Sequence, residues 1–181
     1  MKKYIALLRG INVGGKNKVT MSELKLLFEK LGFIDVITYI NSGNVIFTSI
    51  GDLEKEIGEK CEKAINEQFN LNIPILVISL QDLSDALINA PIWWDKDKQS
   101  KHNAIFVMPP ITSKEIVDQI GTSEYEQVYC YKNIIFWSAP IKTFSKTKMT
   151  RMTSTPIYNS VTIRNANTTK KLLQIALSEV D

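Results

Sequence analysis

Four residues, Asn41-Ser42-Gly43-Asn44, stand between two short strand-like runs, Val36 to Ile40 and Val45 to Thr48. Asparagine and glycine reach positive φ at little cost, so this tetrapeptide predicts a tight hairpin. A hairpin makes its strands antiparallel. It excludes a sheet built only from parallel β-α-β crossovers, each of which needs a dozen or more residues. No other local feature restricts the fold as much.

The segments around the hairpin complete a pattern. Tyr4 to Gly10 reads as a buried strand. Thr20-Met21-Ser22-Glu23 is a capping box, followed by Leu24, Leu27, Phe28 and Leu31 at helical spacing and by Gly32 as a stop. Asp52 is placed to cap a second helix carrying Leu53, Ile57, Cys61, Ala64, Ile65 and Phe69, and Pro74 opens a strand from Ile75 to Ser79. The order β-α-β-β-α-β across residues 1–80 is that of a ferredoxin-like unit. Residues 81–181 repeat it in part. Leu80 to Ala90 and Thr112 to Ile120 read as helices, Asn103 to Met108 as a strand, and Val128 to Tyr131 with Ile134 to Ser138 as a hairpin around Lys132-Asn133. Residues 140–163 have no sustained period beyond a short helical start at Met149 to Met152. Asn167 is the expected cap of a last helix, Thr168 to Val180, with Leu172, Leu173, Ile175, Ala176 and Leu177 as its apolar positions. The chain is therefore expected to be α+β, with two tandem ferredoxin-like halves meeting near residue 80. No Gly/Ser/Pro-rich linker separates them, so they are expected to pack together.

The stretch Leu8-Arg9-Gly10-Ile11-Asn12-Val13-Gly14-Gly15-Lys16-Asn17-Lys18 comes one residue short of the nucleotide-binding pattern G-x-x-x-x-G-K-[ST]. Asn17 stands where a hydroxyl would hold Mg²⁺, and the helix cap lies at Thr20 rather than next to the lysine. The hairpin also argues against the parallel sheet such a loop requires. In a β-α-β-β-α-β unit, however, the first loop, the hairpin and the chain entering the fourth strand share one edge. That edge gathers Arg9, Asn12, Gly14, Gly15, Lys16, Lys18, Asn41, Ser42, Asn44, Asn70 and Asn72, a set of cations, amides and glycines able to bind a phosphate or carboxylate, with Arg9, Gly14, Gly15, Lys16 and Lys18 as its chief residues and Asn12 and Asn44 positioning. Arg164, Asn165 and Asn167 at the start of the last helix form a second-rank anion site.

Positive charge is segregated. Residues 1–22 carry Lys2, Lys3, Arg9, Lys16 and Lys18 with no acid, and residues 127–178 carry Lys132, Lys142, Lys146, Lys148, Arg151, Arg164, Lys170 and Lys171 with none. Such segregation favours an anionic partner. The leading reading is a small phosphate-bearing ligand at the first loop edge. Two alternatives stay open. One is sequence-tolerant nucleic-acid binding by the basic second half, where Tyr129, Tyr131, Phe136 and Trp137 could stack on bases. The other is phosphoryl-handling enzymology, so whether the chain is an enzyme stays undecided.

Other chemistry finds little support. Cys61 and Cys130 are too few for a secreted disulfide framework and sit at core-like positions. No Cys/His/Asp/Glu set has metal-ligand spacing, so neither metal nor cofactor is expected. His102 is the lone histidine, with no acid or nucleophile close in sequence. The early apolar run is too short for a signal peptide and no segment is long enough to span a membrane, so a cytoplasmic protein without a membrane partner is expected. The sequence does not indicate an oligomeric state.

Three stretches, YIALLRGINVGGKNKV, YINSGNVIF and TIRNANTTKKL, fall in this order along the chain. By them the chain resembles the uncharacterised bacterial "domain of unknown function 1697" family. The resemblance spans essentially the whole sequence and implies a duplicated ferredoxin-like α+β fold, with no activity attached. The family usually has tryptophan between the two asparagines of the last stretch, where this chain has Ala166.

Overall fold

The computed structural model describes residues 1–51 and 53–178. The first half runs β1 (Lys2–Leu8), α1 (Met21–Lys30), β2 (Ile34–Tyr39), β3 (Asn44–Ser49), α2 (Glu54–Phe69) and β4 (Ile75–Ser79). After α3 (Leu80–Ile88) come β5 (Ser100–Val107), α4 (Ser113–Ile120), β6 (Gln127–Tyr131), β7 (Ile134–Pro140), the short α5 (Lys148–Arg151), β8 (Val161–Asn165) and α6 (Ala166–Ser178). Two four-stranded sheets result, ordered β2-β3-β1-β4 and β6-β7-β5-β8, with every paired neighbour antiparallel. The fold is mixed α+β. The chain divides into two compact units, one of Met1–Ser84 joined by α6 from Leu172 onward, the other of Asp85–Lys171. No helix among the described residues is long and apolar enough to cross a membrane.

In the first unit, alternation along β1 turns Tyr4, Ala6 and Leu8 toward α1 and α2, opposite Phe47 and Val45 of β3. Leu24, Leu27 and Phe28 of α1 and Ile57, Cys61 and Ile65 of α2 close over them. Phe33 and Phe47 lie 4.5 Å apart between ring centres, and Phe28 meets Phe47 edge-on at 5.4 Å. Burial pushes the Cys61 thiol up to about 12, as befits a core residue. The predicted capping box forms. The Thr20 hydroxyl accepts from the Glu23 N–H at 3.2 Å, and the Glu23 carboxylate accepts from the Thr20 N–H at 3.3 Å. α2 begins after Leu53; the predicted cap, Asp52, lies outside the described residues.

In the second unit, Ile105, Val107, Ile135 and Trp137 face Ile116 of α4 and Met149, Met152 and Val161. Two differences from expectation have clear causes. β8 is an unpredicted strand. Its alternation is masked by Arg164, which lies buried, donating to the Thr162 hydroxyl at 2.8 Å and the Ile163 carbonyl at 2.9 Å. Residues 141–160 form 3₁₀ turns around α5. Thr147, Thr150, Thr153 and Thr155 donate their hydroxyls to carbonyls three residues back, at 2.8 Å each, bonds that compete with a regular helix.

Candidate functional site

The loop from β1 to α1 is a small hairpin of its own. Gly14 and Gly15 both have positive φ, +59° and +76°, and the Lys16 N–H donates to the Val13 carbonyl at 3.1 Å. These are the features of a type I′ turn. A second bond, from the Asn12 N–H to the Asn17 carbonyl at 3.1 Å, closes the outer pair. The glycines therefore make a turn, and the Lys16 amide is spent on it; this is not a phosphate loop. Asn12 is the strut. Its amide donates to the carbonyls of Val19 at 2.8 Å and Asn41 at 3.0 Å, and its oxygen accepts from the Val19 N–H at 2.9 Å.

The shared edge deduced from topology is present. The Leu8 N–H reaches the Gly43 carbonyl at 2.8 Å, and the Arg9 N–H reaches the Pro74 carbonyl at 3.0 Å. Arg9 is half-buried, while Lys16 and Lys18 are exposed. Asn44 is fully buried and donates to the Tyr39 carbonyl at 3.0 Å and the Ser42 hydroxyl at 3.1 Å. The carboxamides of Asn12 and Asn44, expected to meet or position a ligand, are thus consumed by the loop and hairpin themselves.

The second unit holds an open cleft of about 750 Å³ at the end of its sheet where β5 begins and β8 ends. One wall is the segment 95–99 with the start of β5. The other is Asn165, Ala166 and Asn167 at the head of α6. Lys96, Lys98 and Lys101 are exposed on its rim. The register Asn103↔Asn165 brings the walls together. Asn165, not Asn167, caps α6: its Oδ1 accepts from the Thr168 N–H at 2.8 Å. The helix consequently starts two residues earlier than predicted, and Asn167 sits exposed in its first turn. Arg164, expected to add charge there, points into the protein instead, where burial pushes its guanidinium down to about 10. Ala166 lines the cleft.

The 95–99 wall is firmly held. The Trp94 indole N–H donates to the Asn103 carbonyl at 2.9 Å, and its ring meets Phe136 edge-on at 5.0 Å. His102 Nε2 lies 2.7 Å from the Asp97 carbonyl, which can only accept, so this nitrogen carries the proton. Nδ1 meets the Ser138 hydroxyl at 2.6 Å. Asp97 takes bonds from the Ser100 hydroxyl at 2.6 Å and the Gln99 N–H at 2.8 Å. Those two bonds, from Ser100 first and then Gln99, hold its carboxyl below the usual range. Asp95 pairs with Lys170 of α6. Sequence reasoning sets His102 aside and passes over Lys96, Lys98 and Lys101. The alternating run Asp95-Lys96-Asp97-Lys98 is their signal, muted because its charges cancel locally.

The aromatic hairpin offers little for stacking. Phe136 and Trp137 are buried, the Tyr131 hydroxyl is committed to Asp85 at 2.9 Å, and only Tyr129 of the four is exposed. Lys101 and Lys146 already cover the rings of Phe144 and Tyr125, at 4.4 and 5.5 Å. Among the described residues no group of three or more His, Cys, Asp or Glu side chains is arranged to hold a metal ion.

Comparison with known proteins agrees on the lineage. The model of the family described as "Protein of unknown function (DUF1697)" matches residues 1–136. No curated protein matches. Among solved structures, the chain is similar to the conserved bacterial protein SP0830 from Streptococcus pneumoniae, with 35% identity over 97% of this chain and 98% of that one and a TM-score of 0.86. The chain belongs to the DUF1697 family.

Proposed function

We propose that this DUF1697 protein binds a small anionic ligand, and that the ligand sits in the second unit's cleft rather than on the first loop edge. The observation that carries the reading is the convergence of Lys96, Lys98 and Lys101 with Asn165 and Asn167 around one cleft of about 750 Å³. That volume lies within the range of small-molecule sites, roughly 300–1,000 Å³. The head of α6 adds the positive end of a helix dipole on the same side. Each half is further read as a ferredoxin-like unit, supported by the repeated strand order and the β-α-β-β-α-β succession.

Titration with inorganic phosphate, followed by thermal shift at low salt, tests the binding. At 100 times its dissociation constant a ligand stabilises by about 2.7 kcal/mol, a shift of several degrees. Lys96→Glu and Lys98→Glu, each of which reverses a rim charge, are expected to remove the shift, while Lys16→Ala leaves it intact. A shift that survives both cleft variants and disappears in Lys16→Ala would return the site to the first loop edge.

A further inference from the structure

We infer that the ligand of this cleft is the phosphate monoester of a sugar or polyol. The inference rests on the anion-binding reading above and adds the chemical class. Charge balance is its first support. Lys96, Lys98 and Lys101 line the cleft and Lys170 pairs with Asp95 in its wall, so four lysines stand with the two carboxylates of Asp95 and Asp97, the Lys101 ammonium lying over the Phe144 ring. With His102 left aside, the surplus is one positive charge without Lys101 and two with it. A phosphate monoester carries about −1.5 to −2 at neutral pH. A diphosphate or a nucleic-acid backbone brings more charge than this excess and would press against both carboxylates.

The lining supplies the second support. Apart from Ala166, every residue lining the cleft has a polar or charged side chain. Ionised Asp carboxylates only accept, ammonium groups only donate, and Ser100 with Asn103 and Asn167 can do both. A hydroxyl is donor and acceptor at once, so a polyhydroxylated ligand can use the whole set. The Asp97 carboxylate, held ionised by Ser100 and Gln99, is suited to accept from a sugar hydroxyl.

The third support is the lack of a stacking surface. Among the described residues, no Phe, Tyr or Trp lines the cleft. Trp94, beside it in sequence, is 5% exposed, with its N–H and its ring both engaged inside the protein. Nucleobase recognition relies heavily on aromatic faces, and this cleft offers none.

Calorimetric titration of the full chain compares glucose 6-phosphate, ribose 5-phosphate and glycerol 3-phosphate with inorganic phosphate, AMP and free glucose. At least one of the first three is expected to bind about tenfold or more tightly than inorganic phosphate and AMP, the worth of one well-made hydrogen bond to a hydroxyl. Free glucose is expected to bind far more weakly. Asn167→Ala should shrink the preference over inorganic phosphate, and Lys98→Glu should weaken binding of every phosphate compound while the fold, read by circular dichroism, persists. If inorganic phosphate binds and none of the three sugar or polyol phosphates binds more tightly, or if AMP binds tightest, the ligand class is overturned and the anion reading stands. If no phosphate compound binds, both fall.

Discussion

In the first unit the chain between β1 and α1, residues 9–20, folds back into a hairpin; in the second, the equivalent connection between β5 and α4 is residues 108–112 and turns directly into its helix. Both helices open on the same capping box, Thr20 with Glu23 and Thr112 with Glu115. The longer connection is therefore not needed to start α1. Its two asparagines are absorbed by the bonds that shape it, Asn12 making three and Asn17 donating to the Gly10 carbonyl at 3.0 Å. The second unit gathers its polar surplus at the other end of the sheet, around a cleft. A cluster of asparagines and lysines points to a ligand only to the extent that its hydrogen bonds are not already made inside the protein.

The contrast concerns the loops and presumes that the two cores are equally well packed. Phe47 and Phe136 are both fully buried, the first among Phe28 and Phe33, the second under Trp94. Replacing either by alanine is expected to cost about 3–5 kcal/mol. Urea denaturation of Phe47→Ala and Phe136→Ala checks this. A loss near 1 kcal/mol for either would mean that its unit has a looser core and that the comparison must begin there.

How far this was legible in the sequence depends on the range of each interaction. The hairpin and the Thr20 box are local and spelled out in adjacent residues, although the turn expected at 41–44 forms one residue earlier, at 40–43, with Ile40 as well as Gly43 at positive φ. Gly14-Gly15 is local too, yet it fits both a phosphate loop and a type I′ turn; only the Lys16–Val13 bond separates them. β8 was hidden because Arg164 occupies an inward position, a cost met by Thr162 and Ile163. The cap of α6 was ambiguous because asparagines flank Ala166, and the bond to Thr168 selects Asn165. The cleft could not be read at all, since its two walls lie far apart in sequence and meet through the Asn103↔Asn165 register.

Two glycines sharpen the difference between a loop that is packed and one that is only turned. Gly43 and Gly15 both have positive φ, +78° and +76°. A Cβ on Gly43 would come within 2.7 Å of the Leu8 Cβ and 2.9 Å of Ile11, whereas one on Gly15 meets nothing within 4 Å. Gly43→Ala combines backbone strain with overpacking and is expected to cost about 2–4 kcal/mol. Gly15→Ala carries only the strain, about 1–2 kcal/mol. Equal melting temperatures for the two variants would show that the hairpin is not wedged against the first loop as described.

The finest test sets one asparagine of each unit against the other. Asn12→Ala removes two donated bonds and one accepted bond at a half-buried site, and is expected to destabilise by about 1–3 kcal/mol. Asn167→Ala changes an exposed residue in the first turn of α6, where alanine is the better helix former, so stability should stay within about 0.5 kcal/mol. Binding should respond in the opposite sense. Asn12→Ala, assayed well below its melting temperature, should leave sugar-phosphate affinity unchanged, and Asn167→Ala should weaken it several-fold. If Asn12→Ala instead lost binding while keeping its stability, the carboxamide would be serving a ligand rather than the loop. The first unit would then hold the site, because the internal bonds that argue against it would have been shown to be dispensable for folding.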